Sequence, residues 1–347
     1  MIGSTSGGGA SSGGGAASGG GAVSGGGTAS GGTGAGAGTG RDTARQVVVL
    51  VSAIIAVVGS FIGSGAAGGT PIAQAANGAL GADATLIAPA VPAFAIWTPI
   101  YLGLVAYAVW QLLPRQRADA RQHILGYPIA LTLLLNAAWI LSVQAGLLAL
   151  SAVVIVLLLA ALCWAFSLSQ RTRPGTRPGG RRGDSSRVEP ADRSRFGRLV
   201  ETLLVDGTLG LYLGWVSIAT AANLTALFQQ AGFAGFGWLP EAWGVAIVVV
   251  AGLVGVLLAF SDRGRLAPAA ALAWGLAWVG VSRLTGSLDS AAVGFTALAA
   301  AVVVLLITVI VRVSTARREP SAAGERAGEA RASAGPRVTG AGDEARA

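Results

Sequence analysis

Three short patterns place aromatic and amide side chains on single helix faces. Trp215, Ala219 and Asn223 stand at i, i+4 and i+8, Trp97 and Tyr101 are four apart, and Asn136 and Trp139 are three apart. All of these spacings share a helix face, and each pattern lies inside an apolar run. An amide in hydrocarbon is costly unless it is paired or meets a ligand, so these faces turn toward protein or toward a bound molecule. Two arrangements satisfy that demand. Either the indoles and amides pack and hydrogen-bond between helices, or they wall a pocket for a flat apolar ligand, with ring faces for its plane and a few polar groups for its edge. The spacing leaves both open.

Other chemistry has little to work with. His123 is the only histidine and Cys163 the only cysteine, so an intramolecular disulfide is excluded. Cys163 sits in an apolar run and is expected to be a small packing residue. No His, Cys, Asp and Glu cluster has metal-ligand spacing, and no Gly-rich phosphate loop follows a strand pattern. The net charge of +8 rests on 24 basic residues, all arginine. They sit between apolar runs without aromatic interleaving. That is the pattern of the positive-inside rule, not of a nucleic-acid surface.

The elements that must position these residues are membrane-spanning helices. Hydrophobic residues make up 53% of the chain and charged residues 12%, with a mean hydropathy of +0.65, against about 25% charged in soluble domains. Eight apolar runs are present: 46–63, 93–113, 125–145, 147–168, 203–228, 243–260, 266–282 and 292–313. About 20 apolar residues cross a bilayer, so the chain reads as an all-α, polytopic bundle of eight spans. The seventh run is the weakest, being short with Pro268 near its start. Runs three and four meet at Gly146, which implies an antiparallel hairpin.

Arginine placement sets the topology. With eight spans and both termini cytoplasmic, 23 of the 24 arginines fall on the inner side; Arg283 alone falls outside. Residues 1–45 form a Gly-, Ala- and Ser-rich tail and 316–347 a polar tail, both expected to be disordered. The basic stretch 171–200 reads as a solvated cytoplasmic loop. The outer connection 64–92 has three prolines and no basic residue, and could pack over the mouth of the bundle. Asp206 opens run five, where a carboxylate favours a helix N-terminus. Gly59 with Gly63, and Gly210 with Gly214, are spaced for close helix approach. Trp110, Trp164, Trp238 and Trp243 lie near run ends, as interfacial indoles do; Trp274 and Trp278 are four apart in run seven.

Three segments in order resemble the TspO/MBR family, the tryptophan-rich sensory or translocator proteins. Trp97-Thr98-Pro99-Ile100-Tyr101, preceded by Pro89 and Pro92, is similar to the family's W-T-x-x-Y after a proline-containing loop. Leu135-Asn136-Ala137-Ala138-Trp139 matches L-N-x-x-W. Tyr212-Leu213-Gly214-Trp215 and Ala219-Thr220-Ala221-Ala222-Asn223 match P-Y-x-x-W followed by F-A-T-x-x-N, with Leu211 in the place of the proline and Ile218 in that of the aromatic. The resemblance covers about residues 46–230. It divides the chain into a five-helix membrane domain over 46–230 and three additional helices over 231–315, for which that pattern has no counterpart.

The resemblance implies a five-helix bundle, commonly dimeric, whose pocket binds porphyrins. Trp97, Tyr101, Asn136, Trp139, Trp215, Ala219 and Asn223 would line or support that pocket, and 64–92 would be its lid-like loop. A porphyrin or haem-like tetrapyrrole is expected as ligand, with no resident cofactor. The stretch after Asn223 lacks the Tyr and Arg of the proposed sterol motif, so sterol binding is not implied. The expected function is a ligand-binding membrane sensor or regulator in a plasma membrane, the alternative being a transporter of a porphyrin or small apolar solute. Light-driven porphyrin breakdown rests on resemblance alone, because the chain brings no acid–base or metal constellation to it.

Overall fold

The computed structural model describes residues 33–63, 70–71, 74–173, 195–233 and 235–333, with side chains described from residue 40 to residue 317 of these. Of the stretches expected to be disordered, 1–32, 334–347 and most of the 171–200 loop lie outside them, whereas 33–45 and 316–333 are helical, as the ends of the first and last helices. Two units are distinguished, Met1–Gly40 and Arg41–Ala347; the described part of the first is only the opening of the first helix.

Eight long helices correspond one to one with the eight apolar runs: α1 Thr33–Gly63, α2 Trp97–Trp110, α3 Ala120–Gln144, α4 Leu148–Arg171, α5 Thr208–Gln230, α6 Pro240–Ser261, α7 Leu266–Thr285 and α8 Ala291–Ser333. A 3-10 turn, Val91–Ile96, leads into α2. Helical backbone also precedes α5, through Arg195–Glu201 and a π-helical turn at Thr202–Gly207. Among the described residues there is no strand.

Local chemistry explains the ends. The Asp119 carboxylate accepts from the backbone N–H of Arg121 and Gln122 and caps α3. Pro240 occupies the first turn of α6, where its missing N–H costs nothing. Gly146, at φ +72°, makes the left-handed turn that closes the α3–α4 hairpin.

Seven of the helices are long and apolar enough to cross a membrane; α7 falls outside that set. Its twenty residues still rise about 30 Å, the thickness of the hydrocarbon layer. The reason for its lower hydropathy is its place. Ala271, Leu272, Leu276 and Val279 of α7 are fully or nearly fully buried, so little of this helix needs to dissolve in lipid. α7 packs between α5 and α8, and the glycines make that closeness available. A Cβ on Gly214 would overlap the Pro268 carbonyl, and one on Gly275 would meet Ile218. Gly210 faces Ala267 and Pro268, while Gly59 and Gly63 face Ala137 and Ile140 of α3. Both small-residue pairs are thus used for packing within the chain.

Two readings of single residues change. Cys163 is exposed on the outside of α4 and is not a core packing residue. Asp206 does not begin a helix: the backbone is already helical before it, and the side chain is buried in ion pairs described below.

Candidate functional site

The three sequence patterns converge. Trp97 stacks on Trp139 with ring centroids 6.4 Å apart and planes 29° from parallel. It meets Trp215 edge-on at 6.2 Å and Tyr212 edge-on at 5.8 Å, and lies against Tyr101 at 5.4 Å. Phe94, from the turn before α2, reaches Trp215 at 5.7 Å. Rings from α2, α3 and α5 therefore form one cluster, within the distances at which aromatic pairs attract.

Polar groups ring this cluster. Tyr101 Oη bonds the Ser60 hydroxyl of α1 and accepts from Asn136 Nδ2 of α3, so one phenol ties three helices. Asn136 is 1% exposed and its Oδ1 has no partner. Asn223, equally buried, pairs with Ser151 of α4 at 3.3 Å. Trp139 Nε1, Trp215 Nε1 and Thr85 Oγ1 are buried without a partner. Unpaired buried donors and acceptors are costly and rare, and here they gather about one place.

Two cavities flank the rings. A small one of about 40 Å³ is lined by Thr85, Phe94, Trp139, Trp215, Ala219 and Asn223, among others, with Ala79, Leu80, Ala88 and Pro89 as its roof. A larger one of about 620 Å³ is lined by Val57, Ser60 and Phe61 of α1, Trp97, Tyr101, Leu102 and Val105 of α2, Phe94, and Ile140. Phe61, Val91 and Leu102 on its rim are more than half exposed, so it opens sideways between α1 and α2. Its volume lies within the range of small-molecule sites. Of the residues singled out from sequence, Trp97 and Tyr101 line the large cavity. Trp139, Trp215, Ala219 and Asn223 line the small one. Asn136 lies one hydrogen bond behind Tyr101.

Phe94, Tyr212, Ser60 and Thr85 were not foreseen as members of this group. Tyr212 is three residues before Trp215, and Phe94 three before Trp97, so helical spacing could have found both. Nothing in the neighbourhood of Ser60 or Thr85 marks them.

A second polar centre lies at the arginine-rich end. Arg121 donates to Glu201 at 2.7 Å and to Asp206 at 2.8 Å, with all three side chains near 5% exposed. Arg173 grips the other Asp206 oxygen through Nε and Nη2 at 3.0 and 2.7 Å, and Arg265 stands 3.4 Å from Asp206. One carboxylate thus binds α3, the end of α4 and the α6–α7 connection to the start of α5. Nearby, burial pushes the Asp262 carboxyl up to about 6, while the backbone N–H of Arg265 holds its Oδ1 at 2.9 Å. Among the described residues no group of three His, Cys, Asp or Glu could hold a metal.

No curated protein and no solved structure matches the chain. A family model described as TSPO-like protein matches residues 46–310, passing residue 230 and running through α6, α7 and most of the apolar part of α8. With its bilayer-length helices and its tryptophan cluster drawn from α2, α3 and α5, the chain is a multi-pass membrane protein that belongs to the TSPO-like protein family.

Proposed function

We propose that this protein is a ligand-binding membrane sensor or regulator that holds a flat apolar molecule of the tetrapyrrole class against Trp97. The observation that carries the reading is the position of that ring. Trp97 forms a wall of the large lateral cavity with one side and packs on Trp139 and Trp215, which line the small cavity, with the other. A disc entering between α1 and α2 meets aromatic faces and the Ser60–Tyr101–Asn136 hydrogen-bonded chain at its edge. Rim residues facing acyl chains favour a ligand that arrives dissolved in the bilayer. The arginine distribution supports both termini on the cytoplasmic side of a plasma membrane.

The test is tryptophan fluorescence of the purified full-length chain titrated with protoporphyrin IX. Saturable quenching that weakens at least tenfold in Trp97→Leu is expected. Absence of saturable quenching, or quenching indifferent to Trp97, removes the proposal. Flux of the same porphyrin across proteoliposomes, if seen, would turn the reading from sensor to carrier.

A further inference from the structure

The described residues between α1 and α2 have little regular structure of their own, yet the later ones are deeply set: Thr85, Ile87 and Ala88 are at most 3% exposed. Segment 79–89 roofs the small cavity through Ala79, Leu80, Thr85, Ala88 and Pro89. Most of what holds it down comes from the far end of the chain. Trp274 Nε1 donates to the Ala93 carbonyl at 2.9 Å, and Ala90 N donates to the Trp278 carbonyl at 3.2 Å. Arg283 Nη2 donates to the Ala82 carbonyl, which also accepts from Ser282 Oγ at 3.4 Å. Gln229, at the end of α5, donates to the Ala84 carbonyl at 2.9 Å. Leu86 packs over Gly244 of α6 beside Val293 of α8. Among the described residues, every hydrogen bond from a bundle helix to segment 79–93 comes from α5 or α7.

Arg283 is the unusual member. It is the one arginine on the arginine-poor side, it is fully buried, and its Nε and Nη1 have no partner. A guanidinium is expensive to bury, and this one spends its bonds on a loop carbonyl and a neighbouring hydroxyl. Five pins on a segment that forms no regular ladder make an element whose opening is governed by those pins, not by its own backbone.

We propose that the last three helices are the seat of a roof: they hold segment 79–93 closed over the tryptophan cavity, with Arg283 and Trp274 as the positioning residues. The functional consequence rests on the ligand reading given above. With the roof pinned, exchange through the outer face is slow and the lateral opening between α1 and α2 is the main route. Releasing a pin speeds ligand entry and exit together and leaves the walls intact.

The experiment uses the full chain in nanodiscs, with Cys163→Ala as background and Thr85→Cys, on the buried inner face of the roof, as reporter. Labelling by a water-soluble maleimide is expected to be slow in this parent. It should accelerate at least tenfold when Arg283→Gln or Trp274→Phe is added. Trp274→Phe keeps an aromatic side chain against Trp278 but removes the indole N–H, so it decides the matter if Arg283→Gln does not fold. Unchanged labelling in a folded variant overturns the proposal. Protoporphyrin IX binding is followed in the same samples without the label. On- and off-rates rising together, at unchanged melting temperature and a Kd within about twofold, support gating, whereas a change in Kd alone counts against it. If the parent binds no porphyrin, the ligand reading fails while the labelling rates still decide the roof.

Discussion

Trp97 rests on Trp139 at 6.4 Å with its plane turned 29°, and neither ring could be removed without baring the other. Trp139 is 5% exposed, whereas Trp97 borders the large cavity. The two rings therefore differ in setting: Trp139 is enclosed, whereas Trp97 faces the open cavity where the proposed ligand would lie. Trp97→Leu is expected to weaken protoporphyrin quenching at least tenfold, about 1.4 kcal/mol of binding, and to lower the melting temperature less than Trp139→Leu does. Trp139→Leu should lower both. Trp164→Phe, exposed on the outside of α4, should change neither. Equal effects of Trp97→Leu and Trp164→Phe on binding would dismiss the distinction.

Asn136 separates stability from function. Its Nδ2 bonds Tyr101, but its buried Oδ1 has no partner, and an unpaired buried acceptor costs on the order of 1–3 kcal/mol. Asn136→Leu removes that liability along with one bond, and the two roughly offset. Thermal stability within about 1 kcal/mol of the parent is expected, together with a loss of porphyrin affinity, because Tyr101 keeps only its Ser60 partner. A strongly destabilised Asn136→Leu would mean that the amide is a structural tie only.

The membrane fold was legible because hydrocarbon imposes a length. Each apolar run became a helix, and even α7, weak by composition, was visible as a run; what the composition hid was its central position, which relaxes the need for apolar residues. The tryptophan cluster was legible as three helical spacings, since i+3 and i+4 partners must share a face. The ion pairs were not. Arg121, Arg173 and Arg265 read as inner-side charge, and that reading says nothing about which of them would be buried on Asp206. Those partners are 33 to 85 residues apart, joined only by the packing of helices. Arg283 was legible as the exceptional arginine but not as a buried one, because its partner is a backbone carbonyl that any residue supplies.

The Asp206 centre should be the costliest polar site to break. Arg121 is buried between two carboxylates, and deleting one partner of a buried pair costs about 3–5 kcal/mol. Arg121→Gln is expected to destabilise the protein by that much. Arg173→Gln, with a side chain 31% exposed, should cost about 1 kcal/mol or less. The comparison is read by thermal unfolding in one detergent. An Arg121 variant as mild as the Arg173 variant would contradict the burial argument.

Asp262 gives a pH signature. Burial raises its pKa from 3.8 to about 6. An acid with a raised folded-state pKa holds its proton more tightly in the fold, so stability falls as pH rises from about 4 to about 6 and stays lowered above that. Arg265, whose own pKa burial lowers, is the charge that offsets part of this rise. Asp262→Asn removes the penalty while keeping an acceptor for the Arg265 N–H. The variant should be more stable than the parent at pH 7.5, by on the order of 1 kcal/mol, and no different at pH 4. The same gain at both values would show that ionisation is not the cause.

Gly214 tests whether the last three helices are part of the site or only beside it. A Cβ there would overlap the Pro268 carbonyl oxygen and crowd Leu272 N at 3.0 Å. Both are backbone atoms, so relief requires α5 and α7 to separate. At Gly210 the crowding is milder, against Ala267 Cβ and Pro268 Cδ at 2.9 Å; both atoms are fixed to the backbone, so relief there needs a smaller movement of the same two helices. Overpacking of a close contact costs about 1–3 kcal/mol, so Gly214→Ala should be the more damaging of the two. Trp215 is the next residue, and moving α5 moves its ring against Trp97 and Phe94. Gly214→Ala is therefore expected to lower the melting temperature and to weaken protoporphyrin quenching together, with Gly210→Ala intermediate in both. A Gly214→Ala protein that loses stability but binds porphyrin like the parent would show that the α5–α7 seam carries only the fold.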